Sequence, residues 1–151
     1  MNYVDLVNDR VKAHLDKYHT EIFTDKEVVA EALFVRGMED CDSILVKKHN
    51  PQGKITRVII YVGSEENVLH EIGHILDIFN NNEHYWSATS EFQDIFEMEH
   101  EYANYDDYLV QDSNEYFAES FLDYCLDPYE LRNKRPKTYD YIEDVISKID
   151  V

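Results

Sequence analysis

Four glycines and three prolines in 151 residues leave this chain few places to turn sharply, and that scarcity narrows the folds open to it more than any other feature. A sandwich of short strands needs a turn signal about every 8–12 residues. Collagen-like and low-complexity disordered chains need far more of both residues. A helix-dominated chain is what remains. Because 44% of the residues are apolar and 13% aromatic, a packed core is within reach. The length suits one domain, residues 1–151, better than two.

Val4, Val7, Val11, Leu15 and Tyr18 recur three or four residues apart, a spacing that predicts an amphipathic helix over about residues 3–19. Thr24 with Glu27 is a capping-box pattern opening a second helix through Val28, Val29 and Leu33. Two β-branched runs follow, 43–47 and 55–62, separated by a polar stretch with Asn50, Pro51 and Gly53; this predicts a hairpin. Gly63 ends the second run, Ser64 is placed to cap a helix, and Glu65 and Glu66 suit its positive first turn. That helix should reach about Phe79. Ser90 with Gln93 marks another through Phe92, Ile95 and Phe96. The tyrosine-rich stretch 102–112 reads as a loop, after which Ser113 or Asn114 opens a helix to Leu126. Asp127-Pro128 starts a short helix, and the last covers about 137–149. The expected class is α+β, helix-rich, with a small and mainly antiparallel sheet.

Lys and Arg number 14 against 32 Asp and Glu, a formal charge of -18. Such a surface repels nucleic-acid backbones and anionic lipids alike. A basic or neutral polypeptide is the fitting partner; nucleic acid and membrane are not. The longest apolar runs, such as 58–62, fall far short of a membrane span. Asp5 and Asp9 stand where a secretory signal has its basic and apolar stretches. The chain is therefore expected to be cytoplasmic, delivered by a non-classical route, or already processed. Cys41 and Cys125 lack CxxC spacing and neither demand an oxidising compartment nor supply a metal site.

His70-Glu71-Ile72-Gly73-His74 is an HExxH sequence on the helix predicted after Gly63. Residues i and i+4 of a helix share a face about 5–6 Å apart, so two imidazoles there can share one zinc. On a helical wheel Val68, Ile72, Ile75 and Phe79 gather on one side, while His70, His74 and Asp77 lie opposite. Glu71, one step round, is placed to reach the attacking water without ligating the metal, as a general base must.

A catalytic zinc keeps three protein ligands, so a third must come from elsewhere. Asp77 shares the histidine face, but a straight helix sets it about 10 Å from His70 along the axis. It reads as an outer partner of the site, a helix-end hydrogen-bond acceptor, or a solvated residue. Glu115 and Glu119 are the better source. They sit on one line with Leu122 and Leu126 of a helix that is apolar nearly all round. Carboxylates on such a stripe need a metal or a charged partner. Metal-bound imidazoles commonly donate their other N–H to a carboxylate, so one Glu can ligate while the other orients a histidine.

Together these elements resemble the catalytic domain of anthrax lethal factor and its smaller relatives, among them the secreted proline-proline endopeptidases of clostridia. The resemblance spans about residues 55–150. It is carried by the HExxH with Asp77, the helix around Phe92 and Phe96, Tyr108 seven residues before Glu115, the stretch 114–121, and Arg135-Pro136-Lys137-Thr138-Tyr139 leading into Ile142. Residues 1–54 match none of its motifs. The resemblance implies a zincin-fold, toxin-related zinc endopeptidase acting on a protein or peptide. One Zn2+ per chain would be held by His70, His74 and Glu115. Glu71 would act as general base, Tyr108 would help stabilise the oxyanion, and Glu119 would hydrogen-bond a histidine. Two rival readings stand beside it. An antirepressor-type HExxH protease of a mobile element suits the missing export signal, although the spacing of Tyr108 and Glu115 favours the lethal-factor type. A non-catalytic acidic binding protein, such as a DNA mimic, uses the charge but leaves the HExxH and the paired glutamates unexplained.

Overall fold

The computed structural model describes residues 3–78, 84–103 and 112–149. The first periodic segment divides in two: a 3-10 turn over Tyr3–Leu6, then helix α1 (Asp9–Lys17). Asn8 causes the break, because its side chain accepts from the Arg10 N–H and so caps α1. Strand β1 (Glu21–Phe23) follows, too short for any alternation to announce it. Next come helix α2 (Lys26–Phe34), strand β2 (Ser43–His49) and strand β3 (Ile55–Val62). The cap of α2 is Asp25 and not Thr24; the Asp25 carboxylate accepts from the N–H groups of Glu27 and Val28.

β2 and β3 form the predicted antiparallel hairpin. β1 adds to the other side of β3 in parallel, so the sheet is mixed, in the order β1-β3-β2. β3 is therefore the central strand and β2 an edge. Alternate residues of β3 serve two faces. Val58, Ile60 and Val62 enter the main core, whereas Tyr61 joins Val29 and Leu33 of α2 and Ile44 of β2 in a smaller cluster behind the sheet.

After β3 the chain forms α3 (Asn67–Leu76), α4 (Ser90–Glu99), α5 (Ser113–Leu126), α6 (Pro128–Lys134) and α7 (Pro136–Lys148), with 3-10 turns at Trp86–Ala88 and His100–Tyr102. Ser64 does not cap α3 with its side chain; its carbonyl accepts from the Asn67 N–H in the turn before the helix. Thr89, not Ser90, caps α4, and Asp112 caps α5. In each case the capping oxygen sits a position or more from the expected one, and the helix exists regardless. Pro128 and Pro136 open α6 and α7, where a missing N–H costs nothing. One core runs from Val11 and Leu15 through β3 and α3 to Phe92, Phe117, Phe121, Ile142 and Val145. Among the described residues no helix is long and apolar enough to cross a membrane.

His14 ties α1 to α3. It is buried edge-on against Tyr18, and its Nε2–H donates to the Ile75 carbonyl at 3.3 Å. Burial disfavours the imidazolium and pulls the pKa from 6.5 down to about 4. Between those values the unfolded chain holds a proton that the folded chain rejects, so stability is full above pH 6.5 and falls as the pH drops toward 4. The loss approaches about 3 kcal/mol. Urea midpoints measured from pH 7 to pH 4 should therefore fall less steeply for His14→Leu than for the parent.

Candidate metal centre

The site begins where β3 passes into α3. Gly63 N–H donates to the Asp42 carbonyl at 2.8 Å, and a Cβ on Gly63 would stand 2.7 Å from that oxygen. Only glycine permits the start of β2 to lie so close to this turn. α3 then runs through the interior. Val68, Ile72 and Ile75 face the core, while Phe79 lies outside the described residues. The opposite face, with His70 and Glu71, is also buried, because α5 covers it. Gly73 makes that covering possible: a Cβ there would meet the Ala118 carbonyl oxygen at 2.8 Å and the Ala118 Cα at 2.9 Å. Two helices this close at Gly73 and Ala118 bring Glu115 and Glu119 within reach of the HExxH histidines.

His70 Nε2 lies 3.1 Å from His74 Nε2 and 2.9 Å from Glu115 Oε2, and His74 Nε2 lies 3.3 Å from Glu115 Oε1. The other ring nitrogen of His70 donates to Glu119 Oε2 at 2.6 Å. One ligand atom from each of His70, His74 and Glu115 falls within 4.8 Å of the others. Zinc bonds of about 2.0–2.1 Å at tetrahedral angles separate ligand atoms by about 3.3 Å, so this donor set fits the ion in both chemistry and spacing.

The electrostatics favour positive charge at the same point. Burial opposes a charged His70 ring, yet hydrogen bonds with Glu115 and Glu119 and the nearby charges of Glu119 and Glu71 outweigh it, pushing its pKa up to about 10. Glu115 is held well below the ordinary carboxylate range, first by its hydrogen bond with His70 and then by that with His74. A cation at this centre would meet the Glu115 carboxylate already ionised.

Glu71 points elsewhere on the same helix. It is 8% exposed, and its Oε1 accepts from the Ser43 hydroxyl at 2.9 Å. Asp77, at the end of α3, is fully buried, which excludes the solvated reading. Its carboxylate accepts from the Ser87 N–H and hydroxyl at 2.7 and 2.6 Å and from Asn114 Nδ2 at 2.8 Å. Burial raises its pKa to about 6 despite these bonds. The Asp77–Asn114 link fastens the end of the HExxH helix to the residue just before Glu115. Tyr108 lies outside the described residues.

A cleft of about 1000 Å³ opens over His70, Glu71, His74 and Glu115, with β2 residues 43–47 along one wall and Tyr85, Ser87, Gln93 and Asn114 on the other. Of the aromatics, Tyr85 lines this cleft, Trp86 packs against the core, and Tyr102 is exposed away from it. Sequence reasoning did not single out Ser43, Gly73, Ser87 or Gln93 for the site. Gln93 is instead bonded to the Ser87 carbonyl and the Ser113 hydroxyl. Only Gly73 carried a legible signal, since a glycine inside a helix usually has a packing reason.

The sequence pattern of the family described as "Anthrax toxin lethal factor, N- and C-terminal domain" matches residues 3–145, so the match also takes in the N-terminal third of the chain. No curated protein matches the chain in sequence. Among solved structures, the chain is similar to the PRO-PRO endopeptidase PPEP-2 from Paenibacillus alvei, with a TM-score of 0.70 and 20% identity. That likeness covers 95% of this chain and 86% of the other, and it shows a shared fold.

Proposed function

Because the chain belongs to the anthrax toxin lethal factor family, we propose that it is a zinc-dependent endopeptidase that hydrolyses peptide bonds in a protein substrate. The observation that carries this reading is the convergence of His70, His74 and Glu115 from two helices on one point at the floor of an open cleft. The shared fold with a protein described as a PRO-PRO endopeptidase supports a peptide substrate. When bound, zinc would supply Lewis acidity that polarises the scissile carbonyl and acidifies the attacking water.

The chain's own residues perform the remainder. His70, His74 and Glu115 would hold the ion, and Glu119 fixes the His70 ring through its Nδ1–H. Glu71 takes a proton from the attacking water and passes it to the leaving amine. Tyr108, to which the resemblance assigns this role, would donate a hydrogen bond to the developing oxyanion. β3 is the central strand of the sheet, so β2, the edge strand along the cleft, is the one that can receive an extended substrate by strand addition.

Glu119 gives a graded expectation: Glu119→Ala should weaken zinc binding or lower activity about 10–100-fold, the usual cost of losing the carboxylate behind a metal-bound histidine. Competition with a chromogenic chelator and steady-state kinetics measure both. The reading as a whole is tested with a peptide library that includes Pro-Pro bonds, incubated with zinc-loaded protein, chelated protein and protein resupplied with zinc. Cleavage that disappears on chelation and returns with zinc is expected. A non-catalytic binding protein would give none.

A further inference from the structure

Resting on that reading, we infer that Ser43 is a positioning residue for Glu71, so that the strand expected to receive the substrate also sets the orientation of the base. Glutamate has three side-chain torsions, and a base that wanders among them meets the attacking water only part of the time. Among the described residues, the Ser43 hydroxyl is the donor that restrains the Glu71 carboxylate, at 2.9 Å from Oε1. Holding one oxygen leaves Oε2 with free lone pairs for the water proton.

The source of the hydroxyl matters. Ser43 is the first residue of β2 and pairs with Val62 of β3; beside that pair, Gly63 N–H locks the Asp42 carbonyl. This end of β2 is thereby fixed to the turn that launches α3. Residues alternate along a strand, so Ser43, Leu45 and Lys47 face the α3 side. Ser43 reaches Glu71, Leu45 packs on the main core, and Lys47 donates to the Tyr85 hydroxyl across the cleft at 2.8 Å. The edge that lines the cleft is thus anchored to the base at one end and to the opposite wall at the other. A peptide added to β2 would be registered against Glu71 through the same backbone that carries Ser43.

Two measurements test this. Ser43→Ala should lower kcat about 10-fold with KM changed less than about threefold, keep one equivalent of zinc, and lower the urea midpoint of the metal-free protein because it removes the bond to Glu71. Ser43→Thr, which restores the hydroxyl, should recover kcat to within about threefold. Parent kcat in Ser43→Ala, a loss confined to KM, or a Thr variant as impaired as the Ala variant would overturn the proposal. Separately, in metal-free protein the urea midpoint of Ser43→Ala/Glu71→Ala should equal that of Glu71→Ala alone. A full additive shift would also overturn it. If zinc-loaded parent protein cleaves nothing, the peptidase reading fails, and the urea comparison still decides whether Ser43 acts through Glu71.

Discussion

Glu71→Gln is expected to fold, bind a full equivalent of zinc and lose at least about 10²-fold in kcat. The amide keeps the size and one acceptor oxygen of the carboxylate, so the bond from Ser43 can persist. It cannot take a proton from the attacking water. Because Glu71 lies outside the three-atom cluster of His70, His74 and Glu115, metal content should not change, and KM should move little. Loss of kcat with zinc retained distinguishes a base from a ligand. Near-parent turnover by the variant would remove Glu71 from the chemistry.

The second large effect is expected at Gly73. Ala is usually the better helix residue, by roughly 1 kcal/mol over Gly. Here an added Cβ would stand 2.8 and 2.9 Å from the Ala118 backbone, where no rotamer change relieves the contact. α3 and α5 must separate, at a cost of about 1–3 kcal/mol. Separation also moves Glu115 away from the histidines, and a misplacement of about 1 Å can cost 10²-fold in rate. Gly73→Ala should therefore lower the urea midpoint and reduce both zinc affinity and activity. A stabilised variant with normal zinc affinity would show that the close approach at Ala118 does not support the site.

Much of this arrangement was legible from residue spacing. Val11 and Leu15, Phe92 and Ile95, and Ile142 and Val145 recur at helical intervals and are buried where those intervals place them. The i, i+4 pairs His70/His74 and Glu115/Glu119 each occupy one face of a helix, and the cost of burying carboxylates calls for a charged partner or a metal, which the meeting of the two faces provides. What escaped depended on contacts without a local signature. β1 is three residues long and owes its conformation to β3. Ser43 meets Glu71 across 28 positions of sequence, and nothing in a lone serine before a strand announces that partner. The caps at Asp25, Thr89 and Asp112 were displaced because neighbouring polar residues compete for the same N–H groups. Wheel geometry gives Asp77 a direction but not a depth, and only its complete burial excludes the solvated role.

The central claim is that His70, His74 and Glu115 together hold one catalytic zinc. Metal analysis after dialysis against a mild chelator tests it most directly, applied to the parent, His74→Ala and Glu115→Ala, each checked for folding by circular dichroism. The parent should retain one zinc per chain, and both variants should lose it. A folded variant that keeps a full equivalent, or a parent that keeps none after zinc has been supplied, would contradict the account.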